Sequence, residues 1–323
     1  MDGGTGSGKS ADKEKSVPSE CRAIHHGRGI MRDDLKAEVA GLSAIPDTMS
    51  RRRFVMTSAY AAGFALAAQP VCAQTAISTP TDGLIAGDIA IAAGKDSIPG
   101  YAAMPASGKN FPVVLVIHEI FGVHEHIKDV ARRLAQRGYL AVVPAVFSRV
   151  EDVTKLKTID EIRPVVAKVR DADVMSDLDA AIAYAKGTGV ADVKKLAVTG
   201  FCGGGRYTWL YAAHNPNVKA AVAWYGPVVG QATAERPKHP IDVVKDLKAP
   251  VLGLYGDADG GIPNDTVWKM REALAAAGKK SEIILYAEAP HAFHADYRAT
   301  YRAGEARDGW AKMLHWFRRH GAA

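Results

Sequence analysis

Cysteine is scarce: Cys21, Cys72 and Cys202 are the only three in 323 residues. They show no zinc-type spacing. Cys21 and Cys72 fall in segments expected to be absent from the mature protein, which leaves Cys202 alone with no intramolecular disulfide open to it. The chain also lacks a dense basic run. Its net charge of +6 is scattered, which argues against a nucleic-acid partner and leaves a small anionic substrate open. It has no internal repeats. The apolar stretch Val55 to Ala68 is too short and too rich in Ala and Gly for a good membrane span. The composition, 48% hydrophobic and 24% charged, is that of a globular protein with ample length for one large α/β domain.

The chain divides into three parts. Residues 1–48 are poor in hydrophobic side chains and read as disordered, or as an over-extension ahead of the true start at Met49. Gly3-x4-Gly8-Lys9-Ser10 is a formal phosphate-loop match there. No strand precedes it and no apolar helix follows it, so that reading is set aside. Residues 49–73 hold Arg51-Arg52-Arg53-Phe54, an apolar run and the small-residue site Val71-Cys72-Ala73. That order reads as a secretory signal, and the paired arginines before Phe54 resemble a twin-arginine signal, which predicts a periplasmic protein. Residues 74–323 are the expected catalytic domain.

Within that domain apolar runs alternate with helical patterns. Asp88–Ala92 and Gly100–Met104 read as a leading hairpin. Phe111 to His118 is continuously apolar, as in a strand buried on both faces. Further strands are expected at 139–144, 196–200, 218–224, 251–255 and 283–286. Helices are expected at 125–136, 171–186, 207–214, 264–277 and 303–320. This alternation predicts a mostly parallel sheet with helices on both faces, whose active residues collect at the C-terminal strand ends. Trp310, Leu314 and Phe317 follow core spacing on the last helix. Phe147 to Pro164 is the least regular stretch and reads as a cap or long loop.

Val198-Thr199-Gly200-Phe201-Cys202-Gly203-Gly204-Gly205-Arg206 lies where a strand meets a helix. Gly200-x-Cys202-x-Gly204 at such a corner is the pattern of a nucleophile elbow, with Cys in place of the commoner Ser. The turn is too tight for side chains on either side of the nucleophile. The helix that follows points its positive end at the sulfur and favours the thiolate. A strand then runs into Asp257-Ala258-Asp259, and the last strand runs into His291-Ala292-Phe293-His294. The order nucleophile, acid, histidine is that of the α/β-hydrolases. Spacing alone leaves Asp257 beside Asp259 and His294 beside His291 as candidates. His118-Glu119-Ile120-Phe121-Gly122 also ends a central strand. Its backbone amides can supply one arm of an oxyanion hole, and Gly203 the other. Burial of Glu119 is expected to raise its pKa.

From about Asp88 to Phe317 the sequence resembles the dienelactone hydrolases (carboxymethylenebutenolidases). The likeness rests on Val116-Ile117-His118-Glu119-Ile120-Phe121-Gly122, Gly200-Phe201-Cys202-Gly203-Gly204, Asp259-Gly260-Gly261-Ile262-Pro263 and Ala289-Pro290-His291-Ala292-Phe293. The resemblance selects Asp259 and His291 and implies a Cys202–His291–Asp259 triad in an α/β-hydrolase fold. It implies that Glu119 contacts the resting thiol and takes its proton, and that Ile120 and Gly203 hold the oxyanion. It also implies arginines for a substrate carboxylate. Past the histidine this chain has His294-Ala295-Asp296, with Arg298 slightly beyond, and Arg163 is the candidate in the cap region. The expected substrate is a small ester or lactone, with no metal or organic cofactor. Two other readings use the same residues: a periplasmic binding protein that kept the fold without the activity, and a redox-sensing thiol at Cys202.

Overall fold

The structure is a computed structural model that describes Met1 and residues 77–323. The predicted export signal, the residues before it, the phosphate-loop match, Cys21 and Cys72 lie outside the described residues.

The frame is an eight-stranded sheet in the order β1-β2-β4-β3-β5-β6-β7-β8. Strands β1 (Leu84–Ala93) and β2 (Asp96–Pro105) form the leading hairpin, and β2 runs antiparallel to β4 (Leu140–Pro144). From β4 onward the sheet is parallel: β3 (Phe111–Ile117), β5 (Ala191–Phe201), β6 (Val218–Trp224), β7 (Val251–Gly256) and β8 (Glu282–Tyr286). Val113 to Ile117 are all fully buried. Successive side chains of a strand point to opposite faces, so both faces of β3 are covered. That is why the sequence there is continuously apolar instead of alternating.

Helices supply the cover. α1 (Glu125–Ala135) packs on β2 and β4. It carries Glu125 in its first turn and Arg132 and Arg133 in its last, complementing the helix dipole. α3 (Asp171–Gly187) packs on β1, β4 and β5, and α4 (Gly203–His214) packs on β5 and β6. α5 (Asn264–Ala276) packs on β8, and α6 (Ala303–Arg319) on β6 and β7. On α6, Phe317 is fully buried and Leu314 nearly so, as their spacing predicts.

The irregular stretch after β4 is more ordered than its sequence suggests. It makes a short 3-10 turn at Val153–Lys155 and then α2 (Ile159–Lys168). Thr158 and Glu161 close a capping box at the start of α2, which offsets Pro164 inside the helix. Val153 and Thr154 press on Gly122, where an added Cβ would meet each side chain at 2.9 Å. The stretch therefore lies over the segment leaving β3.

Because β3, β5, β6, β7 and β8 run parallel, their C-terminal ends share one edge. Ile117 pairs with Gly200, Phe201 with Trp224, and Gly256 with Tyr286. The chain leaves those ends through His118–Ile120, Cys202, Tyr225, Asp259 and His291, so the sheet delivers the candidate residues to one place.

Candidate active site

Cys202 stands between β5 and α4 with φ 54° and ψ −117°, a conformation that L-residues rarely adopt. Two glycines make it possible. A Cβ on Gly200 would lie 2.3 Å from the Gly204 carbonyl oxygen, and one on Gly204 would lie 2.2 Å from that of Ile117. Strand, corner and helix are packed backbone to backbone. The corner is closed by Cys202 N–H donating to Trp224 O at 3.0 Å and Arg206 N–H donating to Cys202 O at 3.2 Å. Below it, Arg206 forms a buried two-pronged pair with Asp171, at 2.8 and 2.7 Å. That pair ties α4 to α3.

His291 and Asp259 meet from separate strands. His291 Nδ1 is 2.7 Å from Asp259 Oδ2, and Asp259 Oδ1 accepts from the amides of Gly261 at 2.8 Å and Ile262 at 3.1 Å. The two amides fix the carboxylate, and the carboxylate fixes the ring. Burial disfavours a charged His291. The Asp259 carboxylate and the Cys202 sulfur, by charge and by hydrogen bonding, outweigh it and hold the imidazole well above its ordinary pKa. The alternatives left open by spacing are placed differently from this pair. Asp257 is exposed and its Oδ1 caps the Glu288 amide at 2.5 Å, a turn role. His294 is buried and lies on Trp224 and Phe201, at ring distances of 4.6 and 5.1 Å. Burial, then His126 and Arg133, keep His294 well below the ordinary imidazole value.

Ile120 and Gly203 are neighbours: a Cβ on Gly203 would lie 3.6 Å from Ile120 Cγ2. Among the described residues, neither amide donates a hydrogen bond to a protein acceptor. Unpaired N–H groups are what a receptor for a negatively charged oxygen requires.

Glu119 departs from expectation. Among the described residues its carboxylate bonds to the Tyr297 hydroxyl and lies 3.4 Å from His124 Nε2, with no bond to Cys202. Nor is its pKa raised. Burial does favour the neutral acid, but the His124 ring 3.4 Å away and the charges of Arg298 and His126 reverse the balance and hold the carboxyl below its ordinary value. The charged partners come from segments 124–126 and 297–298. Nothing in the strand that carries Glu119 announces them.

Arg298 is buried at this edge, its guanidinium 4.7 Å from the Phe121 ring and 5.0 Å from the Tyr297 ring. Its Nε and Nη1 have no hydrogen-bond partner. Its charge acts on Glu119 and feels the Cys202 sulfur. Arg163 is exposed on α2 and lies outside this buried cluster. Sequence reasoning missed Tyr225. It is fully buried with φ 36°, its ring is 5.2 Å from that of His291, and its hydroxyl has no partner. The available signal was its place just past the end of β6. Among the described residues no group of three or more His, Cys, Asp or Glu is arranged to hold a metal ion, and no helix is long and apolar enough to cross a membrane.

Several known proteins are similar to this chain. The pattern of the Dienelactone hydrolase family matches residues 98–321. A protein of Methylorubrum extorquens, provisionally named a carboxymethylenebutenolidase, is 59% identical over 89% of this chain and 98% of its own. One of Bradyrhizobium sp, provisionally named a 2-oxo-3-(5-oxofuran-2-ylidene)propanoate lactonase, is 33% identical over 68% of this chain and 88% of its own. The crystal structure of a provisionally named dienelactone hydrolase from Klebsiella pneumoniae superposes with a TM-score of 0.71 at 50% identity, covering 73% of this chain and 99% of that one. The chain belongs to the dienelactone hydrolase family and is an α/β-fold hydrolase of the carboxylic ester and lactone class.

Proposed function

We propose that this hydrolase works through Cys202 as its nucleophile and passes through a thioester. The observation that carries the reading is the 2.7 Å bond between His291 Nδ1 and Asp259, with the Cys202 sulfur acting on the same ring. The Cys202 sulfur attacks the substrate carbonyl carbon and its proton passes to His291. The amides of Ile120 and Gly203 hold the oxyanion. As the C–O bond breaks, His291 returns the proton to the leaving oxygen, which in a lactone stays tethered to the acyl group. Water then attacks the thioester and gives its proton to His291. The C–S bond breaks, His291 returns that proton to the Cys202 sulfur, and the acid departs.

The substrate carries a carboxylate in this reading. Arg298 is a buried cation with two unpartnered nitrogens beside the nucleophile, and an anionic lactone or ester supplies what it lacks. The Bradyrhizobium relative is named for a lactone bearing such a group. Arg163, exposed on α2, takes no part in this reading. We further propose that residues 49–73 direct export to the periplasm, which N-terminal sequencing of the mature protein tests.

The catalytic reading is tested by Cys202→Ala with 4-nitrophenyl acetate. Turnover is expected to vanish with the fold intact. A slow ester is expected to leave one acyl group on Cys202 of the wild-type protein, read by intact-mass spectrometry. Retained turnover in Cys202→Ala, or acylation elsewhere, overturns it.

A further inference from the structure

His118 follows β3 directly and is buried, with 1% of its surface exposed. Its ring is held at both nitrogens. Nε2 is 3.2 Å from the backbone N of Val146, whose N–H it shares with Pro144 O at 3.0 Å, and Nδ1 is 2.6 Å from the carbonyl oxygen of Glu119. A backbone N–H can only donate and a carbonyl can only accept. The two bonds therefore select one form, neutral imidazole with its proton on Nδ1. Burial, the largest influence, drops the ring's pKa to about 4, so this form holds at neutral pH. The ring also packs edge-on against Phe147 at 4.8 Å.

The carbonyl that His118 grips belongs to the peptide joining Glu119 to Ile120. That peptide is trans, as are all the others described. In a planar trans peptide the C=O and the N–H point in opposite directions. Holding the Glu119 oxygen toward His118 therefore turns the Ile120 N–H the other way. The Gly122 N–H adds a weaker hold on the same oxygen at 3.2 Å. Without the ring, that loop bond alone is left to resist rotation of the peptide.

We infer that His118 is a positioning residue for the oxyanion hole: its Nδ1–H fixes the Glu119–Ile120 peptide so that the Ile120 amide faces the carbonyl attacked by Cys202. This rests on the reaction proposed above. The effect belongs to the transition state, because the amide must meet the oxygen where charge develops. Loss of the grip lowers kcat and leaves KM nearly unchanged. Misplacing a catalytic donor by about 1 Å costs on the order of 100-fold.

Two substitutions separate the two bonds. The amide of Asn superposes on the Nδ1 side of the ring and can still donate to Glu119 O. The amide of Gln reaches the Nε2 position and can still accept from Val146 N–H. With 4-nitrophenyl acetate, His118→Gln is expected to lose about 10- to 100-fold in kcat with KM within twofold. His118→Asn is expected to stay within about threefold of wild type in kcat, whichever variant melts lower. Equal losses in both, an unimpaired His118→Gln, or a loss confined to KM overturns the assignment. The ring 15N shifts of His118 in the unmodified protein test it without any substitution. Protonation at Nδ1 is expected, and at Nε2 it refutes the inference. The Cys202→Ala control keeps the two claims apart. If it is inactive while His118→Gln is unimpaired, only the positioning role fails. If turnover survives Cys202→Ala, the reaction falls and the positioning role with it.

Discussion

The hydroxyl of Tyr297 donates to the carboxylate of Glu119, and both side chains are buried. Beside that hydrogen bond, His124, Arg298 and His126 favour the carboxylate against its burial. Removing the hydroxyl in Tyr297→Phe leaves a buried charge short of a donor and is expected to cost about 1.5–3 kcal/mol, read from urea unfolding. The same environment sets a pH dependence. The folded carboxyl lies below its unfolded value of 4.5, so at acid pH the unfolded chain binds more protons. The stabilisation is present above that value and is lost as pH falls toward the folded one. The urea midpoint is expected to drop between pH 5 and pH 3, and to drop less in Glu119→Gln. Asp152, Asp179 and Asp308, also depressed, contribute slope to both proteins, so the difference reports Glu119 together with Asp296, which shares His126 with it.

The backbone contact at the elbow gives a second prediction. Gly204→Ala places a methyl 2.2 Å from the Ile117 oxygen, where neither backbone can yield without moving Cys202. It is expected to destabilise by roughly 1–3 kcal/mol and to lose most turnover. Gly187→Ala, at the end of α3 with nothing within 4 Å of the new Cβ, is expected to be neutral or to stabilise by about 0.4–1 kcal/mol. Denaturant unfolding of the two variants side by side checks that the cost comes from collision and not from the loss of glycine.

Much of this was legible in the sequence because it is local. The apolar run at 113–117 follows from burial on both faces of β3, and the Gly200-x-Cys202-x-Gly204 spacing from backbone contact across one corner. Asp259 and His291 each follow a strand, so their convergence comes from strand order alone. Glu119 was misjudged for the opposite reason. Its own strand forecasts desolvation, but its charge is set by His124, Tyr297 and Arg298, which reach it only in three dimensions. Pro164 hid α2, since the compensating capping box lies six residues earlier at Thr158. Tyr225 had only its place just past the end of β6 to mark it, and the two hydrogen bonds that hold the His118 ring have no local signature.

His291 and His294 sit three residues apart and are expected to fail in different ways. His291→Ala is expected to lower kcat by at least about 100-fold while its melting temperature stays near that of wild type. His294→Ala removes a ring packed among Trp224, Phe201 and Trp310, and is expected to cost roughly 2–5 kcal/mol. Under conditions where both variants remain folded, His294→Ala is expected to retain the larger share of kcat. The reverse ranking assigns the base to the wrong ring.

Arg206 is the first residue of α4 with a bulky side chain, and its pair with Asp171 is buried on both sides. Breaking such a pair from one side costs more than the pair contributes, because the remaining charge stays desolvated. Arg206→Leu is expected to lose about 3–5 kcal/mol, and Asp171→Leu a similar amount. Arg206 also donates to Lys238 O at 2.7 Å and to His239 Nδ1 at 3.4 Å, so Asp171→Leu leaves the guanidinium those two acceptors, while Arg206→Leu leaves the Asp171 side chain with none among the described residues. The double variant Asp171→Leu, Arg206→Leu strands neither charge and is expected to recover more than half of the larger single loss. Chemical denaturation of the four proteins closes this double-mutant cycle. Fully additive losses would mean that the two side chains stabilise α3 and α4 separately and that the pair does not tie the helices together.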